Sequence, residues 1–262
     1  MAAILRMLIV ALVAGFSANL PTSAQEEPPP PKASPVISVS EESLPRAGGV
    51  MVFGGTGKLG LEVVKQLVAA HEHVTVLTRT SSDTAALKAL NVNIVTGDAL
   101  DPDSLKKAFT EAPFRAAISV LGGHKGEYRI DSEGNKNVID ATKAAGVTRF
   151  VLVSAIGAGD SAEAPPWFVR YYLKDYFAAK TVAEDYLKAT DLDYTIIRPG
   201  MLLDSPKSGE AALAHAAPSI VGTTRADLGK LVAGAVEDKA TFRQTYAAVD
   251  AKRTGLWALL TY

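Results

Sequence analysis

From Gly49 onward, short unbroken apolar runs alternate with longer amphipathic stretches. Val50-Met51-Val52-Phe53 has the length and continuity of a buried strand. Behind it, Leu59, Val63, Leu67 and Ala70 recur at helical spacing and mark one apolar stripe. The alternation then repeats. Strands are predicted at Val74 to Leu77, Asn93 to Val95, Ala116 to Leu121, Phe150 to Val153 and Tyr194 to Ile197. Helices are predicted at Asp83 to Leu90, from Asp101 onward, at Gly134 to Ala145 and at Leu173 to Ala189. Asp101-Pro102 is a helix start, with Asp as the cap and Pro at the first helical position. Gly146 supplies the usual left-handed stop. After Arg198 come a last helix starting near Thr224, carrying Leu228, Leu231, Val232 and Val236, and a last strand, Thr245 to Val249. Continuous apolar strands separated by helices imply an α/β protein with a mostly parallel sheet covered on both faces.

The first 48 residues break this pattern. Arg6 precedes an apolar run from Met7 to Phe16, about half of the ~20 residues a membrane span needs. Ser17, Asn19 and Pro21 follow, then Thr22-Ser23-Ala24, a small-residue cleavage site. Residues 1–24 read as a signal peptide or membrane anchor, with an organelle-targeting segment as the alternative. The absence of an Arg-Arg pair argues against twin-arginine export. Residues 25–48 are rich in Pro, Ser and Glu and read as a flexible, disordered tether, stiffened at Pro28 to Pro31. Residues 49–262 form the folded domain. The expected location is exported or membrane-anchored, and cytoplasmic or organellar if the segment is not an export signal.

Composition narrows the chemistry. The 262 residues are 48% hydrophobic, ample for one packed core. A net charge of −1 gives no basic field for nucleic acid. There is no cysteine, which removes disulfides, thiolate nucleophiles and Cys-based metal sites. His71, His73, His124 and His215 lack paired ligand spacing, so no metal is expected.

The chemistry centres on Gly54-Gly55-Thr56-Gly57-Lys58-Leu59-Gly60, where the first strand turns into the first helix. Gly57 and Gly60 lack a Cβ, so a phosphate can approach the backbone and the helix can pack on the strand. The free N–H groups and the dipole of the helix start favour an anion. This points to a dinucleotide pyrophosphate held by a doubly wound (Rossmann) fold at the carboxyl ends of its strands. The second strand ends in Leu77-Thr78-Arg79, with no acid before Asp83. An acid there would take a ribose hydroxyl, whereas Arg79 suits a 2′-phosphate, or is an exposed loop arginine. Asp98, in Gly97-Asp98-Ala99-Leu100, sits where an adenine amine could be bonded, or is a turn aspartate.

From about Gly49 to Asp250 the chain resembles the short-chain dehydrogenase/reductases, and among them the atypical NAD(P)H-binding group (NmrA-like or NAD-dependent-epimerase-like). The matching stretches are Gly-Gly-Thr-Gly-Lys-Leu-Gly at 54–60, Gly-Asp-Ala-Leu-Asp at 97–101 and Asp-Ser-Glu-Gly-Asn-Lys-Asn-Val at 131–138. They continue with Arg-Phe-Val-Leu-Val-Ser-Ala-Ile-Gly at 149–157, Lys180 to Glu184, and Tyr-Thr-Ile-Ile-Arg-Pro-Gly-Met at 194–201. The resemblance implies NAD(P) lying across strands one, four and five, with NADPH preferred through Arg79. It implies cofactor contacts from Gly54, Thr56, Gly57, Lys58, Leu59 and Gly60, and from Asp98 and Ala99. Further contacts come from the closing loops at Leu121 and Gly122, at Ser154, and at Pro199, Gly200 and Met201, together with Lys180. Ser154, Tyr176 and Lys180 match the family's catalytic set. Tyr176 and Lys180 share a helix face. In catalytic members the lysine lowers the tyrosine's pKa and binds the nicotinamide ribose. The tyrosine moves a proton at the substrate oxygen, and the Ser orients that oxygen. Tyr176 also lies in an aromatic cluster with Tyr171, Tyr172 and Phe177, where packing is the competing role.

Two departures matter. Asp131 stands where fully catalytic members carry an Asn that holds a helix kink and a water of the proton relay. The portion after Arg198 makes only a small C-terminal cap, which argues against large sugar-nucleotide substrates. Three functions remain in view. The first is an NADPH-dependent reductase of a small acceptor: a carbonyl, quinone, flavin or tetrapyrrole-like molecule. The second is a non-catalytic NADP(H)-binding module that senses redox state or helps assemble a complex. The third, an epimerase or dehydratase, rests on fold analogy. The expected partner is a small-molecule substrate, with possible membrane attachment through the N-terminal segment, and the chain is read as a monomer or weak homo-oligomer.

Overall fold

The computed structural model describes residues 48–123 and 126–255. The signal or anchor segment, the tether up to residue 47 and His124 lie outside the described residues. In chain order the elements are β1 (Gly49–Phe53), α1 (Lys58–Ala69), β2 (Val74–Thr78), α2 (Ala85–Ala89), β3 (Asn93–Thr96), α3 (Pro102–Ala108) and β4 (Phe114–Ser119). They continue with α4 (Asn135–Ala144), β5 (Arg149–Val153), α5 (Trp167–Tyr172), α6 (Lys174–Lys188), β6 (Asp193–Pro199) and β7 (Met201–Leu203). The last are β8 (Ala211–Ala214), β9 (Gly222–Thr224), α7 (Arg225–Ala235) and β10 (Gln244–Asp250).

Eight strands form one sheet in the order β3-β2-β1-β4-β5-β6-β10-β8. Every neighbouring pair is parallel except β10 with β8. The order reverses between β1 and β4, which creates the crevice at the carboxyl ends where such sheets bind ligands. The expected doubly wound α/β fold is therefore present.

The inner strands β1, β2, β5 and most of β4 and β6 are buried on both faces, as their apolar runs require, whereas the edge strands β3 and β8 are not. Met51, Phe53, Phe150, Leu152 and Ile196 point to one side and pack with Leu105, Val138, Ile139 and Leu187 of α3, α4 and α6. Val50, Val52, Ile118 and Val151 point to the other and pack with Val63, Val64 and Leu67 of α1 and Leu228 and Val232 of α7. Burying each such side chain stabilises the fold by about 1.5–3 kcal/mol. The helices α1 and α7 meet closely at Gly229, where a Cβ would stand 2.9 Å from the Glu62 backbone. Arg149 ties β5 to the end of α7: it donates to Asp193 O, Ala235 O, Val236 O and the hydroxyls of Thr195 and Thr241. Burial lowers its pKa to about 10, against the pull of Asp193, Glu237 and Asp238.

Several boundaries differ from expectation. β4 starts at Phe114 and ends at Ser119 rather than spanning Ala116 to Leu121. The helix after it is preceded by a π-helical turn, Ile130–Gly134. α6 begins at Lys174, and α5 just before it was not anticipated. The C-terminal portion is less a separate cap than expected. β10 and β8 extend the main sheet, and only β7 with β9 forms a second, two-stranded sheet. Thr224 caps α7, accepting from Asp227 N–H, as its position suggested.

Candidate functional site

The glycine turn is built in two halves. Gly54 leaves β1 with φ +86°, and a Cβ on it would stand 2.9 Å from Val120 O. A Cβ on Gly60 would meet Gly54 O at 2.1 Å, so helix and turn touch backbone to backbone. Gly57 differs: a Cβ there would meet only Gly54 O, at 3.4 Å. Packing dictates Gly54 and Gly60, whereas at Gly57 the protein leaves open space. Gly57 is the N-cap of the 12-residue α1 and offers no side chain to its first N–H groups. Thr56, Gly57 and Lys58 are exposed and Leu59 is half-buried. The uncapped N-terminus of α1, with no side chain at Gly57 to cover it, fits a pyrophosphate.

The remaining expected contacts fall around the same end of the sheet. Arg79 directly follows β2, is exposed, and makes no ion pair among the described residues. Lys58 donates to Asp204 Oδ2 at 2.8 Å, and Arg225 pairs with the same carboxylate. The Lys58 hydrogen bond, with Arg225, holds Asp204 below its ordinary pKa. Asp98 accepts from Leu100 N–H at 2.9 Å, so one oxygen serves the turn, as the turn reading of this residue has it. Ala99 O accepts from Asn137 at 3.0 Å, which fixes this loop to α4. Pro199 ends β6 and accepts from Ile156 N–H at 2.9 Å. Gly200 is needed for a backbone approach, since a Cβ would lie 2.3 Å from Val221 O, and Met201 opens β7.

Lys180 is the centre of the arrangement. It is 3% exposed, on the inner face of α6. Its Nζ donates to Leu121 O at 2.8 Å and to Val153 O at 3.3 Å, the carbonyls where β4 and β5 give way to loops. It stands 3.0 Å from Asp131 Oδ1. Asp131 is wholly buried, and its other oxygen accepts from Gly123 N–H at 2.7 Å. Oδ1 itself has no hydrogen-bond partner, so the pair is an ion pair outside hydrogen-bond alignment. An ammonium has three protons, and here two carbonyls and a carboxylate surround it. Two of those protons are spent on the carbonyls and none is bonded to Asp131, so one remains for the ribose contact expected of Lys180.

Asp131 departs from the Asn that the resemblance implies for holding the helix kink. The kink is nevertheless present as the π-helical turn, and Asn135 holds it. Asn135 Nδ2 donates to Asp131 O at 2.8 Å, and its Oδ1 accepts from Ser119. Sequence reasoning missed both the Asn135 role and the Asp131–Lys180 pair. The signal was present in the helix register: Asn135 lies one turn after Asp131.

Ser154 follows β5, and its N–H donates to Ile197 O at 2.8 Å. Its hydroxyl is 2% exposed side chain and has no hydrogen-bond partner in the protein. Tyr176 is half-buried in the first turns of α6, against the Tyr128 ring at 5.9 Å and Phe177 at 5.6 Å. Burial raises its pKa; Lys180 lowers it, as the resemblance implies, while Asp131 and Tyr128 add to the rise, and the net shift is upward. Next to it, α5 buries no residue and exposes Trp167, Tyr171 and Tyr172.

A cavity of 180 Å³ opens elsewhere, among Asp160, Ser161, Arg198, His215 and Tyr246. None of Ser154, Tyr176 and Lys180 lines it. Arg198 there is spent on Glu184, with 2.8 Å from Nε to Oε1, and on Asp160. Among the described residues no group of His, Asp or Glu is arranged to hold a metal, and no helix is long and apolar enough to cross a membrane.

Comparison with known proteins agrees with this geometry. The profile of the family described as NAD(P)H-binding matches residues 54–239. A chloroplastic protein of Arabidopsis thaliana is 28% identical over 188 residues, 66% of this chain and 65% of its own length. The photosystem II assembly factor Ycf39 of Synechocystis is 32% identical over 151 residues, 57% of this chain and 43% of its own. The chain thus spans less than two thirds of either relative. Among solved structures, an anaerobillin reductase from Escherichia coli O157:H7 is 27% identical with a TM-score of 0.70, over 79% of this chain and 99% of that one.

Proposed function

The chain belongs to the NAD(P)H-binding family, and on that premise we propose that it is an NADPH-dependent reductase of a small acceptor: a carbonyl, quinone, flavin or tetrapyrrole-like molecule. The observation that carries this reading is the Ser154 hydroxyl, buried and without a protein partner at the carboxyl end of β5. An unsatisfied buried hydroxyl costs about 1–3 kcal/mol. Its place beside the loop that reaches Lys180 suits a substrate oxygen as the missing partner.

Bound NADPH supplies the hydride. The chain's own residues do the rest. Gly57 and the start of α1 hold the pyrophosphate, and Arg79 takes the 2′-phosphate. Ser154 orients the acceptor's oxygen. Tyr176, kept neutral by burial, has its proton available for that oxygen. The anaerobillin reductase relative is support of the same kind, and the chloroplastic relative favours the organellar reading of the N-terminal segment. The test is NADPH oxidation by the purified protein with quinones, free flavins and small aldehydes at neutral pH. Some acceptor should turn over, and Tyr176→Phe should slow it at least about a hundredfold.

A second reading has its own observation. Burial holds the Tyr176 phenol above its ordinary pKa rather than below it, as befits a non-catalytic NADP(H)-binding module. The Ycf39 relative, an assembly factor by name, leans this way. Tight NADPH binding with no turnover of any acceptor would favour it.

A further inference from the structure

Among the described α-helices, α5 alone buries none of its residues. Its side chains are nevertheless large and aromatic. Trp167 is 68% exposed, Tyr171 69% and Tyr172 57%. Trp167 and Tyr171 are four apart and share one face of the helix. The Tyr172 ring stands edge-on to Tyr171, with centroids 5.4 Å apart. The other large apolar side chains exposed among the described residues, Leu100 and Val182, lie outside this helix and are less exposed. The exposed aromatic surface is thus gathered on one short helix that adds nothing to the core. A contiguous apolar patch of this kind marks a surface that something outside the domain covers.

We propose that α5 docks on a lipid membrane, with Trp167 and Tyr171 entering the boundary between headgroups and acyl chains. The residue types carry the choice of a lipid surface. Trp and Tyr have an apolar body and a polar edge, and they concentrate where a membrane meets water. The charges around the face balance: Arg170 pairs with Glu163, and Lys174 adjoins Asp175. A zwitterionic headgroup suits that balance, and no anionic lipid is needed. The chain outside the described residues points the same way. It runs for 47 residues before Gly48 and carries the apolar stretch Met7 to Phe16 and the Pro-rich stretch 25–48. On the reading of these as anchor and tether, a bilayer is the surface to which the domain is held. A stretch of that length reaches up to ~70 Å as polyproline II. That exceeds the ~45 Å breadth of a domain of about 200 residues, so the tether leaves every face of the domain able to reach the bilayer. The proposal does not depend on the cofactor reading.

Fluorescence on the full chain tests it. Trp167 and Trp257 are the two tryptophans, so Trp257→Phe leaves Trp167 as the reporter. With phosphatidylcholine vesicles its emission should move to shorter wavelength. Vesicles of brominated phosphatidylcholine should quench it, because bromine quenches on contact. Both effects should persist in high salt, since no net charge drives them. The variant carrying Trp167→Ser, Tyr171→Ser and Tyr172→Ser should keep its melting temperature, since α5 buries nothing. It should partition into the same vesicles at least about tenfold more weakly, as the loss of even one inserted large side chain implies. The quenching measurement leaves α5 intact, so it decides even where the triple variant melts lower. An unquenched Trp167, or a folded triple variant that partitions as well as the unmodified chain, overturns the proposal, because the N-terminal segment then binds alone. A shift to shorter wavelength that follows protein concentration without vesicles also overturns it, because a second copy of the chain then covers α5.

Discussion

Lys180 lies over the face of the Tyr176 ring, its Nζ 5.8 Å from the ring centroid. The two residues are one helical turn apart on α6, so sequence spacing put them on one face. The consequence for the phenol depends on what else surrounds it. Burial raises its pKa, and the Asp131 carboxylate offsets part of the lysine's charge. In the unfolded chain the phenol titrates near pH 10. The folded pKa is higher, so this contribution to stability is fully present below about pH 10 and is lost as pH rises through the folded value. Melting temperatures measured from pH 8 to 11 should fall less steeply for Tyr176→Phe than for the unmodified protein. Turnover should likewise stay flat between pH 6 and about 9, since the proton donor is already protonated. A roll-off near neutral pH would show that the lysine's charge reaches the phenol after all.

Gly57 and Gly60 should respond oppositely to the same substitution. A Cβ on Gly60 collides with Gly54 O, while one on Gly57 does not. Gly57→Val should therefore keep its melting temperature and lose dinucleotide binding. Gly60→Val should lose the fold. Calorimetry and thermal melting on both variants decide this, and unchanged NADPH binding by Gly57→Val would place the site elsewhere.

Cofactor choice rests on Arg79. NADPH should bind more tightly than NADH by roughly tenfold to a hundredfold, the worth of a charge-assisted bond of about 1.5–3 kcal/mol. Arg79→Ala should erase most of the difference. Equal affinities in the unmodified protein would remove Arg79 from the site.

Arg149 carries a different burden. It serves three backbone carbonyls and two hydroxyls from within the core, over the Phe242 ring at 4.2 Å. Arg149→Leu would leave Asp193 O, Ala235 O and Val236 O without this partner, at about 1–3 kcal/mol each. Chemical denaturation should show a loss of more than about 3 kcal/mol, with no change in cofactor preference.

These residues also show what the sequence discloses and what it does not. The inner strands were legible because they are covered on both faces and are largely apolar; the edge strand β3 is only partly covered. The starts of α3 and α7 were legible because Asp101 and Thr224 cap them locally. α5 was not: it buries nothing, so it carries no stripe to read. β7 and β9 have three residues each, too few to show a period. The candidate site divides in the same way. Its glycine turn is a local motif. The Asp131–Lys180 pair is distant in sequence and meets because α6 packs against the π-helical turn before α4. Asp131 therefore looked like a defect in a familiar pattern until the fold supplied its partner.

Ser154→Ala tests whether a feature of this fold is kept for function at the expense of stability. The hydroxyl is buried and lacks a protein partner. Replacing it by a methyl group removes an unmet donor and acceptor and creates almost no cavity. An ordinary structural serine behaves otherwise. Ser161, for example, accepts from Gly157 N–H at 2.9 Å and donates to Ala158 O at 2.7 Å, so Ser161→Ala should destabilise. Ser154→Ala should instead leave the ligand-free melting temperature unchanged or raise it. The rise should be a few degrees at most, at about 2–4 °C per kcal/mol for a domain of this size. If an acceptor turns over, the same substitution should slow it while NADPH affinity changes little, because the hydroxyl faces the acceptor's oxygen. A Ser154→Ala protein that melts markedly lower would mean the hydroxyl has a structural partner, such as an ordered water. The principal support for the reductase reading would then be gone.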